Sequence, residues 1–274
     1  MSGGAPIAVD AGAFDLGEGR DAALCLHGLT GTPYEIRPIG EALAARGVRA
    51  VGPLLPGHGA AHDALLSTTH TEWIETVASA HRALRLRHER VFTVGLSLGG
   101  LLALCHAADA DVDALAVIGT PLRLGTRLAA LLPLVRRIKP YFPKRRGSDI
   151  RDAAAHARHP SMAVMPTASV LELVRLQGRT RAVLHRVQAP LLVAHGSLDS
   201  TVHPSNAQEI AASVSSAERE LLWLPNSGHV VPVDHDGPEL AQVVVDFLTR
   251  KRHPMLRYVA RSSFRPTGQV MEGR

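Results

Sequence analysis

Five consecutive residues, Gly95-Leu96-Ser97-Leu98-Gly99, carry the clearest chemical signal in the chain. A serine hydroxyl is a poor nucleophile at neutral pH and needs a base to take its proton. The G-x-S-x-G pattern places such a serine on a sharp turn between a strand and a helix. There its hydroxyl projects, and the glycines let neighbouring chain come close. The context fits, because the β-rich run Val91-Phe92-Thr93-Val94 precedes the motif and a helical pattern follows from Leu98. Fifteen histidines compete for the role of base, so position decides. His229, in Asn226-Ser227-Gly228-His229-Val230, lies between the last β-rich run and the last helical pattern, where a loop can reach back over a sheet edge. Asp199, in His195-Gly196-Ser197-Leu198-Asp199, follows the run Leu191–Ala194 and stands thirty residues before His229. A carboxylate there would hold the imidazole in the required tautomer and stabilise the imidazolium, in the chain order serine, acid, histidine. Asp234 and Asp236 are alternatives for the acid, but they lie beyond the base, where capping of the last helix is the simpler reading.

A reacting carbonyl also needs donors for its developing oxyanion. The loop Leu26-His27-Gly28-Leu29-Thr30-Gly31 has two glycines that let its amides turn inward. Beside a nucleophile of this type, one donor comes from such a loop and one from the residue after the serine; here these are the amides of Leu29 and Leu98. Each could contribute ~3–4 kcal/mol in the transition state. His27 either braces this loop or simply ends a strand, and His195 is read as structural. His27, His58, His62 and His70 do not read as a metal site, so no metal is expected.

The elements that must position these groups alternate between β-rich runs and helical patterns, the mark of a mostly parallel sheet with helices on both faces. Strands are expected at 22–26, 48–51, 91–96, 114–119, 190–195 and 220–224. Helices are expected at 34–46, 71–88, 98–108 and 239–249. The rhythm breaks between Pro121 and Gln188, where helical patterns at 127–138 and 169–178 are punctuated by prolines and no strand is evident. The expected organisation is a core over 1–120 and 189–250, a helical cap over 121–188 and a basic tail over 251–274. Leu128, Leu131, Leu132, Val135 and Ile138 are candidates either to line an acyl tunnel or to pack the cap on the core.

The motifs His27-Gly28-Leu29-Thr30-Gly31, Pro56-Gly57-His58-Gly59, Gly95-Leu96-Ser97-Leu98-Gly99-Gly100, Gly196-Ser197-Leu198-Asp199 and Ser227-Gly228-His229-Val230 stand in order along the chain. Together they resemble the bacterial carboxylesterase and monoacylglycerol lipase branch of the α/β-hydrolase superfamily, over residues 22–249. The resemblance implies an α/β-hydrolase fold with an eight-stranded, mostly parallel sheet and a small helical cap. It implies hydrolysis of short- to medium-chain acyl esters or monoacylglycerols without a cofactor. It gives Ser97, Asp199 and His229 the triad roles and Leu29 and Leu98 the oxyanion roles. The same triad also serves thioesterases, carbon–carbon hydrolases and cofactor-free haloperoxidases. A non-catalytic binding relative is the remaining alternative, although it would usually have lost a triad member.

Bulk composition bounds these readings. The chain has 274 residues, of which 46% are hydrophobic, enough for one α/β domain with an insertion. No apolar run approaches the ~20 residues of a membrane span, and residues 1–21 do not read as a secretory signal, so a cytoplasmic location is expected. Cys25 and Cys105, the two cysteines, lie in apolar runs and read as buried thiols. The net charge of +5 is uneven: Arg123–Arg151 holds nine Lys/Arg against one acid, and Arg250–Arg274 holds seven against one. Such runs are ordinarily solvated surface, and weak contact with an anionic membrane is the sharper alternative. Aromatics at 4% and the lack of a stacking or zinc signature exclude a nucleic-acid reading. The expected partner is a small ester with an apolar acyl chain; oligomeric state is not legible.

Overall fold

The computed structural model describes residues 10–59, 63–124, 135, 138–144 and 147–251. Nine strands and eight α-helices lie within them. The strands are β1 (Phe14–Leu16), β2 (Asp21–Leu26), β3 (Val48–Gly52), β4 (Arg90–Leu96), β5 (Leu115–Ile118), β6 (Tyr141–Pro143), β7 (Val164–Pro166), β8 (Leu191–Gly196) and β9 (Arg219–Leu224). The helices are α1 (Arg37–Ala45), α2 (Ala64–Ser67), α3 (His70–Arg85), α4 (Leu98–Ala107), α5 (Ala153–Arg158), α6 (Thr167–Val183), α7 (Ser205–Ser213) and α8 (Gly237–Thr249).

Seven strands form the main sheet in the order β1-β3-β2-β4-β5-β8-β9. Every neighbouring pair is parallel except β1–β3. The count is one below the eight that the family resemblance implies, because among the described residues a single short antiparallel strand precedes β2. The inner strands are near-continuous apolar runs because both faces of a parallel sheet are covered. On one face Leu24, Val117 and Val193 meet Trp73 of α3, Leu101 of α4 and Leu176 of α6. On the other, Cys25, Val94 and Ala116 meet Ile39 of α1 and Val244 of α8. Helix α3 begins at a capping box: the Thr69 hydroxyl accepts the Glu72 amide, and the Glu72 carboxylate accepts the Thr69 amide.

Between β5 and β8 the chain departs from the expectation of helices alone. Strands β6 and β7 pair antiparallel as a separate ribbon. Three residues are too few to display alternation, and Pro143 and Pro166 mask the strand pattern while remaining tolerable at a ribbon's edge. Helix α6 lies against α4, with Gln177 Nε2 donating to the Pro121 carbonyl. Most of the expected helix 127–138, with Leu128, Leu131 and Leu132, lies outside the described residues, as does His62 and nearly all of the tail. Helix α7 and strand β1 escape a sequence reading because their apolar positions are few.

The described basic residues of 123–151 each have a partner on the chain, although Arg123, Lys139 and Arg151 are exposed. Arg123 pairs with Glu209 at 2.7 Å, and the Lys139 ammonium lies 4.6 Å from the centre of the Phe142 ring. Lys144 Nζ donates to the hydroxyls of Thr30 and Ser161 at 3.2 and 3.3 Å, and Arg151 Nη2 lies 3.2 Å from Asp149 Oδ1. Both cysteines are buried, and burial pushes the Cys25 thiol up to about 12. Among the described residues no helix is long and apolar enough to cross a membrane.

Candidate active site

The C-terminal ends of β4, β8 and β9 deliver the three sequence-predicted groups to one place. Ser97 directly follows β4 and directly precedes α4, with φ 54° and ψ −112°. A positive φ is costly for a residue with a side chain and persists only where the surroundings enforce it. Here the enforcement is close packing: a Cβ on Gly95 would stand 2.3 Å from the Gly99 oxygen, and one on Gly99 would stand 2.2 Å from the Leu26 oxygen. The Ser97 amide also donates to the Ile118 carbonyl at 2.8 Å, tying the turn to β5.

Ser97 Oγ lies 2.9 Å from His229 Nε2, and His229 Nδ1 lies 2.8 Å from Asp199 Oδ2. The carboxylate accepts the Nδ1 proton, which leaves the Nε2 lone pair facing the hydroxyl. The Asp199 side chain is fully buried yet satisfied. Its Oδ1 accepts the amides of Thr201 and Val202 at 2.8 Å each, and His195 Nε2 stands 3.2 Å from Oδ2 while donating to the Val202 carbonyl. Burial alone would raise the Asp199 pKa; the adjacent His229 and these hydrogen bonds outweigh it and hold the carboxyl well below the usual range. For His229 burial favours the neutral ring, but Asp199, with Asp149 and Glu35 behind it, prevails and moves the imidazole above its ordinary value. His195 therefore has the structural part expected of it, as a support for the acid.

Asp234 and Asp236 do not join this chain of contacts, nor does the Asp236 side chain cap α8. Asp236 accepts from the Asn226 amide, the Asn226 side chain and the Ser227 hydroxyl. Asp234 accepts from the amides of Gly228, Arg151 and Asp152. The two carboxylates build the turn that carries His229, a role that sequence spacing does not reveal.

Leu98 opens α4, so its amide belongs to the first turn, whose donors have no partner within the helix. Leu29 sits in the loop after β2, where the Gly31 amide closes on the Gly28 carbonyl at 3.2 Å. His27 braces this loop from below: its Nε2 accepts the Leu55 amide at 3.1 Å, and Nδ1 donates to the Gly28 carbonyl at 2.9 Å. Glu35, invisible to motif reasoning, braces it from the side by accepting the Gly28 amide at 2.9 Å. His159 Nε2 lies 3.1 Å from the same carboxylate. Thr30, also at positive φ (63°), receives Lys144 on its hydroxyl and the Met162 amide on its carbonyl.

Ser97 and His229 open onto a cavity of about 200 Å³. One part of its wall is apolar, with Leu29, Leu124, Met165, Val170, Leu173 and Val230; another carries Thr30, Lys144, Ser148 and Asp149. The expected lining by Val135 and Ile138 is not found, and Ile138 is 81% exposed. Met165 of β7 and Val170 and Leu173 of α6 supply apolar wall instead.

A family model described as Hydrolase_4, Serine aminopeptidase, S33, matches residues 17–236. The chain belongs to the Hydrolase_4 family. A thermostable monoacylglycerol lipase from Bacillus sp. (strain H-257) is 31% identical over 91% of this chain and 99% of its own length. A carboxylesterase from Bacillus subtilis (strain 168) is 24% identical over 86% and 96%. A structure from work on the metagenome-derived lipolytic enzymes LipS and LipT superposes with a TM-score of 0.82 at 28% identity, covering 87% of this chain and 97% of that one. The monoacylglycerol lipase of Paleococcus ferrophilus shares the fold with a TM-score of 0.73 at 19% identity, over 86% and 97%. This Hydrolase_4 member is thus an α/β-hydrolase of the lipase and esterase kind.

Proposed function

We propose that this protein hydrolyses carboxylic esters with an apolar acyl group through an acyl-enzyme on Ser97. His229 takes the Ser97 proton as the hydroxyl attacks the ester carbonyl, forming a tetrahedral oxyanion. The amides of Leu29 and Leu98 hold that oxyanion, and Asp199 keeps the ring oriented and stabilises the imidazolium. His229 then passes its proton to the departing alcohol. Water, deprotonated by the same ring, attacks the acyl-enzyme and releases the acid.

One observation carries the reading: an unbroken contact chain from Ser97 Oγ to His229 at 2.9 Å and on to Asp199 at 2.8 Å, at the edge of an amphipathic cavity. The apolar wall suits the acyl chain. The polar wall around Thr30, Lys144 and Ser148 suits a hydroxyl-bearing alcohol, as in a monoacylglycerol. In this reading the segment 121–188 acts as the cap, contributing Leu124, Met165, Val170 and Leu173.

The test is hydrolysis of p-nitrophenyl esters and monoacylglycerols from C2 to C16, with thioesters and an aminoacyl p-nitroanilide alongside. Esters are expected to be turned over best, and Ser97→Ala to reduce kcat by at least about 10⁴-fold with the thermal melt preserved. A Ser97→Ala variant with wild-type turnover would overturn the proposal, and preference for the thioester or anilide would reassign the substrate.

A further inference from the structure

The segment 147–152 belongs to the insertion between β5 and β8, yet it runs between the loop that carries Asp199 and the loop that carries His229. Asp149 touches both. Its carbonyl oxygen accepts the amides of His229 at 2.9 Å and Val230 at 3.2 Å. Its carboxylate Oδ2 accepts the Ser200 amide at 2.7 Å and the Ser200 hydroxyl at 2.9 Å, one residue past Asp199, with the Thr201 hydroxyl at 3.4 Å. Arg151 lies against Asp149 Oδ1 and also donates to the Leu198 carbonyl, just before Asp199. The fit is close on the base side too: a Cβ on Gly228 would stand 2.7 Å from both the carbonyl oxygen and Oδ1 of Asp149. The glycine preceding His229 leaves the room that Asp149 fills.

We propose that Asp149 is a positioning residue for the proposed triad, fixing the separation of the acid and base loops. The inference rests on the reading of Ser97, His229 and Asp199 as the reacting groups. Two anchoring contacts would hold a loop in place without any charge; what distinguishes Asp149 is that it meets the base through its main chain and the acid's neighbour through its carboxylate. A shift of either loop therefore moves the other. The carboxylates around the His229 imidazole are Asp199, Asp149 and Glu35, and all three favour the protonated ring against burial. Asp149 itself faces the guanidinium of Arg151 and the hydroxyls of Ser200 and Thr201, and it borders the cavity. A substrate seated there would meet the same residue that spaces the acid and the base.

The experiment compares wild type, Asp149→Asn, Asp149→Ala and Ser97→Ala on one short p-nitrophenyl ester, with active sites titrated by a fluorophosphonate so that kcat refers to reactive protein. Asp149→Asn keeps the shape and an acceptor but removes the charge; the acid limb of its kcat/KM profile is expected to move to lower pH. Asp149→Ala removes both, and kcat per titrated site is expected to fall about 10- to 100-fold, the scale of a small misplacement of a reacting group, with KM changed by less than about threefold. An Asp149→Asn profile that overlays wild type, with kcat unchanged in every folded Asp149 variant, would overturn the proposal while an inactive Ser97→Ala left the triad reading intact. Full activity in Ser97→Ala would overturn both. If Asp149→Ala does not fold, the isosteric Asp149→Asn decides.

Discussion

The turn that carries Ser97 and the turn that carries His229 meet at 2.9 Å but are held by opposite means. The Ser97 turn is held by backbone against backbone. Its strained φ survives because Gly95 and Gly99 let the strand, the helix and β2 approach to distances that no side chain could occupy. The His229 turn is held mainly by carboxylates, Asp236 gripping Asn226 and Ser227 and Asp234 gripping Gly228, while the Asp149 backbone carbonyl accepts the His229 amide. The first arrangement is rigid, local and indifferent to pH. The second draws on residues scattered across the chain and depends on their ionisation.

The comparison breaks most completely at its steric end. Gly99→Ala drives a methyl group into the Leu26 carbonyl and is expected to cost more than about 3 kcal/mol, read as a fall in the thermal midpoint with activity lost in parallel. At the carboxylate end, Asp236→Ala leaves the Asn226 amide and the buried Ser227 hydroxyl without their acceptor. It is expected to lower kcat about tenfold or more and to cost about 1–3 kcal/mol in a denaturant melt.

The pH dependence sharpens the contrast. The imidazole of His229 is held above its ordinary value of 6.5, and only the neutral ring can act as base, so kcat/KM is expected to rise with pH through a limb centred above 6.5. Asp236 and Asp199 are held below the ordinary carboxylate value of 3.8, so the stability they contribute is fully present above it and is lost as pH falls through their folded-state values. Acidification below about pH 4 should therefore loosen the His229 turn before the Ser97 turn, which hydrogen exchange at Gly228 and at Gly99 would read separately. A separate pH effect lies on the Ser97 helix itself. His106 of α4 meets His81 of α3 edge to face at 4.6 Å, and burial, aided by His81, lowers its pKa to about 4. The unfolded chain takes up that proton first, so stability should decline as pH falls from 6.5 toward 4. His106→Phe is expected to flatten that part of the melting profile.

The same contrast governs what the sequence revealed. The Ser97 turn is written in five consecutive residues between a strand and a helix, so its pattern is visible without the fold. His229 and Asp199 were legible as positions, since each follows a β-rich run and stands in the order that the chemistry needs. Their supports were not. Glu35 and Asp149 look like ordinary surface acids in the sequence, and Asp234 and Asp236 like caps of the last helix; only the folded chain brings the four beside Gly28, Ser200, Gly228 and Ser227. The sheet's inner strands were equally plain, as apolar runs bounded by Gly and Pro. Strands β6 and β7 were hidden by their length and their prolines, and α7 by its scarcity of apolar residues.

The most direct measurement of the central claim is the intact mass of the protein after reaction with a fluorophosphonate, followed by peptide mapping. A single adduct on Ser97, formed more slowly at low pH and absent in Ser97→Ala and His229→Ala, is the result expected if the hydroxyl is activated by the His229–Asp199 pair. An unmodified Ser97, or an adduct that forms at the same rate without the imidazole, would contradict it.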